Sequence, residues 1–166
     1  VTLRDLAEYR IAGKPYSISE YNEPAPNDFQ AETVPILATF AALQDWDMIY
    51  LFDYGDYGAG AANDKINGYF GVGSNPAKMA FVPAAAMIFR AGDFPAAKGL
   101  QIAPISDSLR LAGGTARTAW AATDSKTPPL FQDRLALSPR GAASSSAPQV
   151  SGADSIRLLK TPSGGQ

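Results

Sequence analysis

Two glutamates, Glu20 and Glu23, stand three positions apart in the stretch KPYSISEYNEPAPNDF, residues 14 to 29. The alternation of YSISEY predicts a short strand, and the two prolines of NEPAPN predict a loop directly after it. A carboxylate at such a strand end can act as a nucleophile, act as a general acid or base, or remain a solvated charge. Glu20 and Glu23 are therefore the first candidates for chemistry in this chain.

Histidine and cysteine are both missing from the 166 residues. Their absence excludes a Ser-His-Asp triad, a thiolate nucleophile, a disulfide framework and a cysteine-ligated zinc ion. Catalysis would therefore depend on carboxylates, tyrosines, lysines or bound hard cations. Asp45, Asp47 and Asp53 lack the D-x-[DN]-x-[DN]-G spacing of a calcium loop. We therefore predict no metal site and no cofactor.

The overall composition is that of a globular protein with a core, since 46% of the residues are hydrophobic and 18% are charged. The formal net charge of −2 gives no basic patch for nucleic acid or for an anionic membrane surface. No apolar run approaches the length of about 20 residues that crosses a bilayer. We expect neither nucleic acid nor membrane as a partner.

Hydrophobic patterning predicts a strand-helix-strand unit over residues 14 to 54. The segment FQAETVPILATFAALQDW has Val34, Leu37, Ala38 and Ala41 on one helical face. The run after it, MIYLFDY, is nearly all apolar, as is typical of a parallel strand buried on both faces. Such a βαβ unit needs a crossover of about a dozen residues or more, which the intervening segment supplies.

The later part of the chain is predicted from the residues that begin and end helices and from its glycine and proline content. NPAKMAFVPAAAMIFRAGD predicts one helix, with Asn75 at the cap, Pro76 in the first turn and Gly92 after the end. The preceding GVGSNPAK lacks the spacing of a phosphate-binding loop, so we predict no nucleotide site. LQIAPISDSLRL predicts β structure. From about residue 113, glycine, serine, alanine and proline predict a linker with fragments of β structure.

The stretch SISEYNEPAPN, followed by the helix and by QDWDMIYLFDY, resembles the last two strand-helix units of clan A glycoside hydrolases. These are retaining enzymes on the TIM (β/α)8 barrel. NPAKMAFVPAAAMIFRAGDFPAAK is similar to the helix that follows strand eight in large bacterial members acting on polysaccharides. The similarity covers roughly residues 3 to 98. It implies an α/β fold, the C-terminal part of such a barrel followed by the start of a β-rich accessory region.

The resemblance also implies roles for the two glutamates. In this family the glutamate that ends strand seven is the nucleophile, which implies Glu20. Asn22-Glu23-Pro24 imitates the strand-four motif that carries the acid/base glutamate. If Glu23 ended strand four, four more strand-helix units would have to follow, whereas the sequence after residue 24 predicts one convincing parallel strand. We therefore prefer Glu20 to Glu23.

Five further residues are predicted to contact the substrate: Tyr21 and Asn22 beside Glu20, and Phe52, Tyr54 and Tyr57 after strand eight. Aromatic faces can stack on pyranose rings, and Tyr21 and Asn22 can hydrogen-bond Glu20 and favour its ionised form. The alternative is that Phe52 belongs to the core and the tyrosines only cover a loop. Trp46 is predicted to be a core residue.

The predicted organisation has three parts. Residues 1–98 form the C-terminal portion of a glycosidase barrel, residues 99–112 a β segment packing on the barrel or entering an accessory domain, and residues 113–166 a linker and partial β accessory region. A whole barrel takes about 250 residues and eight strands. The missing N-terminal part of the barrel is therefore an expected partner.

The function that the resemblance implies is a fragment of a retaining glycoside hydrolase. It would act on a β-linked poly- or oligosaccharide by double displacement, with Glu20 as nucleophile and the acid/base glutamate upstream of this chain. The chain alone would then show no turnover. The substrate type implies an extracellular or periplasmic location. One alternative is a non-catalytic carbohydrate-binding or cell-surface protein with a barrel-like fold, and another is an assembly subunit that buries an uncovered apolar surface.

Overall fold

The computed structural model describes residues 2–55, 66, 68–92, 94–123 and 129–139, together with the backbone of 155–158. The described helices are α1 (Leu3–Ala7), α2 (Thr33–Leu43), α3 (Pro76–Met79), α4 (Val82–Arg90), α5 (Asp107–Leu111) and α6 (Ala116–Ala121). A 3-10 turn at Gln30–Glu32 precedes α2. The described strands are β1 (Ser17–Tyr21), β2 (Met48–Leu51), β3 (Gly99–Pro104), β4 (Asp133–Ser138) and β5 (Ser155–Leu158).

The chain divides into two compact units. The three-stranded unit comprises residues 1–16, 43–45 and 96–166, and the two-stranded unit comprises residues 17–42 and 46–95. The sequence predicts residues 1–98 as one portion, and the structure differs because the N-terminal segment pairs with β4. Ile11 forms a parallel bridge with Leu137, whose amide donates to the carbonyl of Arg10 at 2.7 Å. Long-range pairing of this kind leaves no local signature in the sequence.

In the two-stranded unit, β1 and β2 pair in parallel with α2 between them in the chain, which confirms the predicted βαβ arrangement. Val34 and Ala38 of α2 and Ala85 of α4 form a buried cluster, against which Leu51 packs. Trp46 is buried and meets Phe40 edge-on, with ring centroids 5.6 Å apart, as expected for a core residue. Apolar residues at helical spacing thus become a core that supports the end of β2.

The single helix predicted over residues 75 to 93 is two helices in the structure, α3 and α4. Asn75 accepts from the amides of Ala77 and Lys78, and Pro76 occupies the first turn of α3, as predicted. The break follows from Pro83, which has no N–H to donate and is tolerated in the first turn of a new helix. Gly92, beyond α4, has the positive φ of 75° that suits glycine.

In the three-stranded unit, the strand order is β4-β3-β5, with both pairs parallel. Leu100 and Ile102 of β3 and Ala136 of β4 form its buried cluster, against which Ala12 packs. The side chain of Trp120 is buried, and its indole N–H donates to the carbonyl of Glu8 at 3.1 Å. β3 is therefore a central strand, flanked by strands that come later in the chain.

Two sequence-based expectations for this unit differ from the structure. The segment 99–112, predicted to be β structure throughout, is the strand β3 followed by the helix α5, because Ser106 caps that helix by accepting from the amide of Leu109 at 3.1 Å. The predicted linker from residue 113 contains the capped helix α6 and the strand β4, whose Leu135 is fully buried. Pairing with β3 supplies the burial that this segment cannot provide by itself.

Gln44, just after α2, belongs to the three-stranded unit through its side chain, which is 0% exposed. Its amide nitrogen donates to the carbonyls of Leu130 at 2.6 Å and Asp133 at 2.8 Å. Its amide oxygen accepts from the backbone N–H of Leu135 at 2.9 Å. One buried side chain thus joins residues 43–45 to the start of β4 within the three-stranded unit.

Asp45 follows with a left-handed backbone, φ 59°, and carries the charge partner of two buried arginines. The same oxygen, Oδ2, accepts from Arg10 at 3.2 Å and from Arg134 at 2.8 Å. Short polar residues such as aspartate tolerate this conformation better than most side chains. The carboxylate therefore compensates the two guanidinium groups within one unit.

No helix among the described residues is long and apolar enough to span a membrane. The two described sheets contain two and three strands, all of them parallel to their neighbours. The (β/α)8 barrel stays a prediction.

Candidate functional site

Glu20 lies at the carboxyl end of β1, within a change of register. Ile18 pairs with Ile49 and Tyr21 pairs with Leu51, so β1 contains one more residue than β2 between these two pairs. An extra residue of this kind redirects the side chains beside it and is frequent next to active sites. The Glu20 side chain is exposed. Its carboxylate is thus available to a ligand at this edge of the sheet.

Glu23, by contrast, is half-buried and held by neighbours. Its Oε2 accepts from the hydroxyl of Thr33 at 3.2 Å, and its carboxylate also hydrogen-bonds the hydroxyl of Tyr21. Burial raises the pKa of Tyr21 to about 12, and the charge and hydrogen bond of Glu23 act in the same direction. The Glu23 side chain is therefore held by other side chains of the protein.

Lys78 of α3 supplies the positive charge near Glu23, with a side chain that is 0% exposed. Its Nζ donates to Oδ1 of Asn22 at 2.5 Å and to the carbonyl of Glu23 at 2.6 Å. Burial lowers the pKa of Lys78, and the charge of Glu23 opposes that shift. The ammonium group thus holds the loop directly after β1 through hydrogen bonds to Asn22 and Glu23.

Asn22 links three segments of the two-stranded unit. Its Nδ2 donates to the carbonyls of Phe52 and Phe70, while its Oδ1 accepts from Lys78. The amide of Phe52 also donates to the carbonyl of Tyr21 at 3.0 Å. The end of β1, the residue after β2 and the segment 68–72 are therefore held together by one side chain and one backbone bond.

These contacts correct one expectation drawn from the sequence. Tyr21 and Asn22 were predicted to hydrogen-bond Glu20, but their partners in the structure are Glu23, Lys78 and two main-chain carbonyls. The physical reason is that the polar atoms of the Asn22 side chain are already engaged: Nδ2 donates to the carbonyls of Phe52 and Phe70, and Oδ1 accepts from the buried ammonium of Lys78.

The aromatic residues predicted to contact substrate are divided by the structure. Tyr54 is 62% exposed on the segment that follows β2, whereas the Phe52 ring packs edge-on against Phe70 with centroids 5.5 Å apart. Oδ1 of Asp53, between them, is buried and has no hydrogen-bond partner. Tyr57 lies outside the described residues. Contact of Tyr21, Asn22, Phe52, Tyr54 and Tyr57 with a substrate stays a prediction.

Lys78, Asn75 and Gln30 were missed as site residues by sequence reasoning. Asn75 donates to Oε1 of Gln30 at 2.8 Å and caps the helix that carries Lys78. The available signal was a single lysine inside the otherwise apolar run PAKMAFV. Its role could not be predicted, because its partners lie 55 and 56 positions away in the chain.

A metal centre finds no support in the described ranges, where no group of three or more carboxylates is arranged to hold an ion. Comparisons of the chain with known protein families, with curated proteins and with solved structures find no match.

Proposed function

We propose that this chain contributes the C-terminal part of the catalytic barrel of a retaining glycoside hydrolase acting on β-linked poly- or oligosaccharides, with Glu20 as nucleophile. The observation that carries the proposal is the exposed Glu20 carboxylate in the register change at the carboxyl end of a parallel strand. Catalytic residues of (β/α)8 enzymes come from the carboxyl ends of several strands. The residue after β2 lies at the same edge, since Phe52 is bonded to Tyr21.

The proposed reaction is a double displacement. The Glu20 carboxylate attacks the anomeric carbon while an acid/base glutamate outside these 166 residues protonates the departing glycosidic oxygen. Water then attacks the anomeric carbon of the glycosyl ester, gives its proton to the acid/base residue and releases Glu20. The two carboxyl groups must lie about 5 to 5.5 Å apart. A protein that hydrolyses polysaccharides in this way would work in an extracellular or periplasmic location.

Glu23 is a poor candidate for either carboxylate of such a pair. Its oxygens are engaged by Thr33 and Tyr21, and its charge compensates the buried Lys78. Attack on a sugar by this carboxylate would withdraw the negative charge that lies near the buried Lys78. The acid/base function is therefore assigned to a residue beyond this chain.

The test is mechanism-based labelling of the full-length protein that contains these residues. A 2-deoxy-2-fluoro glycoside slows hydrolysis of the glycosyl ester, so the ester accumulates on the nucleophile and is located by peptide mass spectrometry. We expect the label on Glu20. A label on Glu23, or on no residue of this segment, would overturn the proposal.

A non-catalytic carbohydrate-binding protein is the second candidate. The observation that favours it is that the nearest carboxylate in the chain, Glu23, is occupied by protein contacts and leaves Glu20 without a partner acid in this loop. In such a protein, exposed Tyr54 would still offer an aromatic face to a sugar. It would bind the fluoro glycoside without forming any ester.

A further inference from the structure

The loop that follows β1 borders a cleft whose lining includes neither Glu20 nor Glu23. It has a volume of about 690 Å³, and its lining includes Pro26, Asn27, Asp28, Ile66 and Tyr69. Ligand sites in proteins usually measure about 300 to 1,000 Å³. The cleft is therefore large enough for a small organic ligand.

Hydrogen bonds fix both walls of this cleft. The amide of Ala25 donates to the carbonyl of Tyr69 at 2.7 Å, and Oδ1 of Asn27 accepts from the amide of Phe29 at 2.8 Å. Gln30, which also lines the cleft, donates to the carbonyl of Pro24 at 3.1 Å and accepts from the α3 cap residue Asn75. A pre-organised wall avoids the entropic cost of ordering a loop when a ligand binds.

Three groups at the cleft remain available to a ligand. Within the described part of the chain, Nδ2 of Asn27, the Asp28 carboxylate and the Tyr69 hydroxyl make no hydrogen bond. Tyr69 is 69% exposed, so its ring face is open to solvent. An aromatic face beside one amide donor and one carboxylate acceptor matches a sugar ring, which has an apolar C–H face and a rim of hydroxyl groups.

The charge of the two-stranded unit restricts the kind of sugar. Residues 17–42 and 46–95 contain nine acidic and three basic residues, an excess that the small net charge of the whole chain conceals. Lys78, the basic residue whose ammonium donates to the Glu23 carbonyl in this loop, is fully buried. A field of this sign repels carboxylated or sulfated saccharides and has no such effect on uncharged ones.

We propose that this cleft is a second subsite, which binds an uncharged saccharide ring by stacking on Tyr69 and by hydrogen bonds from its hydroxyls to Asn27 and Asp28. The subsite rests on the proposed function, because it would hold another sugar ring of the same oligosaccharide that Glu20 attacks. Ala25 follows Glu20 by five residues, a span of at most about 18 Å when fully extended. One short oligosaccharide can therefore reach both.

The test measures binding rather than turnover. Full-length Glu20→Gln protein is titrated with a panel of neutral β-linked gluco-, galacto-, manno- and xylo-oligosaccharides and with oligouronates of equal length. We expect at least one neutral oligosaccharide to bind and the oligouronates to bind more weakly. Adding Tyr69→Ala raises the dissociation constant about tenfold, and adding Asp28→Ala raises it by a smaller factor. The matched control is Tyr9→Ala, which removes an exposed tyrosine of the three-stranded unit and leaves binding unchanged.

Preferential binding of oligouronates, no binding of any neutral member, or an unchanged dissociation constant in the Tyr69→Ala protein would each overturn the subsite. These failures differ from failure of the proposed function. If the ester forms on Glu20 but Tyr69→Ala leaves the dissociation constant unchanged, the subsite is refuted and the proposed nucleophile is not. If Tyr69→Ala weakens saccharide binding but no ester forms, the assignment of Glu20 as nucleophile is refuted and the subsite is not.

Discussion

Glu20 and Glu23 carry the same functional group, but the contacts around them give the two carboxylates different chemistry. Glu23 is bound by Tyr21 and Thr33 above the ammonium group of Lys78, which makes it part of the internal framework. Glu20 faces solvent at the register change in β1. An available carboxylate on a strand end can attack an electrophile, whereas a carboxylate that lies near a buried cation and is held by neighbouring side chains is costly to move.

At this scale we predict the effect of Glu20→Gln in the full-length protein. If Glu20 is the nucleophile, kcat falls by at least about 1,000-fold, while the dissociation constant of a bound oligosaccharide changes by less than about threefold. The amide keeps the shape of the side chain and removes its nucleophilic charge. Steady-state kinetics and calorimetric titration provide the two measurements.

The control for this prediction is Glu32→Gln, which removes an exposed carboxylate from the 3-10 turn and leaves both quantities unchanged. Glu23→Gln provides a second comparison, because it deprives Lys78 of its charge partner and is expected to lower stability more than it lowers kcat. Hydrolysis that persists in the Glu20→Gln protein would identify a binding protein or another nucleophile.

At the scale of elements, local patterns in the sequence predicted what local physics determines. The alternation at YSISEY, the apolar stripe of α2 and the cap at Asn75 each correspond to an element in the structure. The break between α3 and α4 was missed although Pro83 signals it, because the apolar periodicity continues through the break. The register change at Glu20 had no sequence signal, since it depends on where β2 pairs with β1.

The C-terminal elements were harder to predict, because their stability comes from distant partners. In the sequence, β4 is a short apolar run within a segment rich in glycine, serine and proline. In the structure, Leu135 of this strand is fully buried and pairs with β3. Gln44 carries no motif and gains its role only when the start of β4 meets it. The contacts that hold the candidate site could not be predicted from the sequence either, since Lys78 bonds Asn22, which lies 56 positions away in the chain.

The contacts of Gln44 lead to a prediction about stability. Gln44→Leu leaves the carbonyls of Leu130 and Asp133 and the amide of Leu135 without a partner in a buried environment. Unsatisfied buried polar groups are costly, so we expect the free energy of unfolding to fall by about 2 to 4 kcal/mol. Urea denaturation followed by circular dichroism measures this change.

Gln132→Leu is the matched control, since Gln132 is exposed and lies next to the same strand. It is expected to change the free energy of unfolding by less than about 0.5 kcal/mol. Equal effects of the two substitutions would mean that the hydrogen bonds of Gln44 contribute little to stability.

At the scale of the whole molecule, two tyrosines link stability to alkaline pH. Burial raises the pKa of both Tyr16 and Tyr21 to about 12, from an ordinary value of 10.0. The second cause is the charge of Tyr9 for Tyr16 and the charge of Glu23 for Tyr21. Between pH 10 and pH 12 the unfolded chain loses these protons before the folded chain does. Their contribution to stability is therefore complete below about pH 10 and is lost as the pH rises towards 12.

Spectrophotometric titration of the phenolate absorbance tests this linkage. Tyr16 and Tyr21 are expected to ionise late, near pH 12. Tyr21→Phe removes one of these late phenols and makes the alkaline loss of stability shallower. Tyr54→Phe, a substitution at an exposed position, leaves the late phenols in place. A single titration step near pH 10 in the folded protein would contradict the prediction.

The partners of Gln44 have a consequence for synthesis on the ribosome. They lie 86 to 91 positions further along the chain, whereas the two-stranded unit is complete at residue 95. Translation at about 5 to 20 residues per second makes Gln44 wait roughly 4 to 18 seconds for them. The strand bearing Glu20 and its supporting lysine can thus reach their native contacts while residues 1–16 still lack theirs.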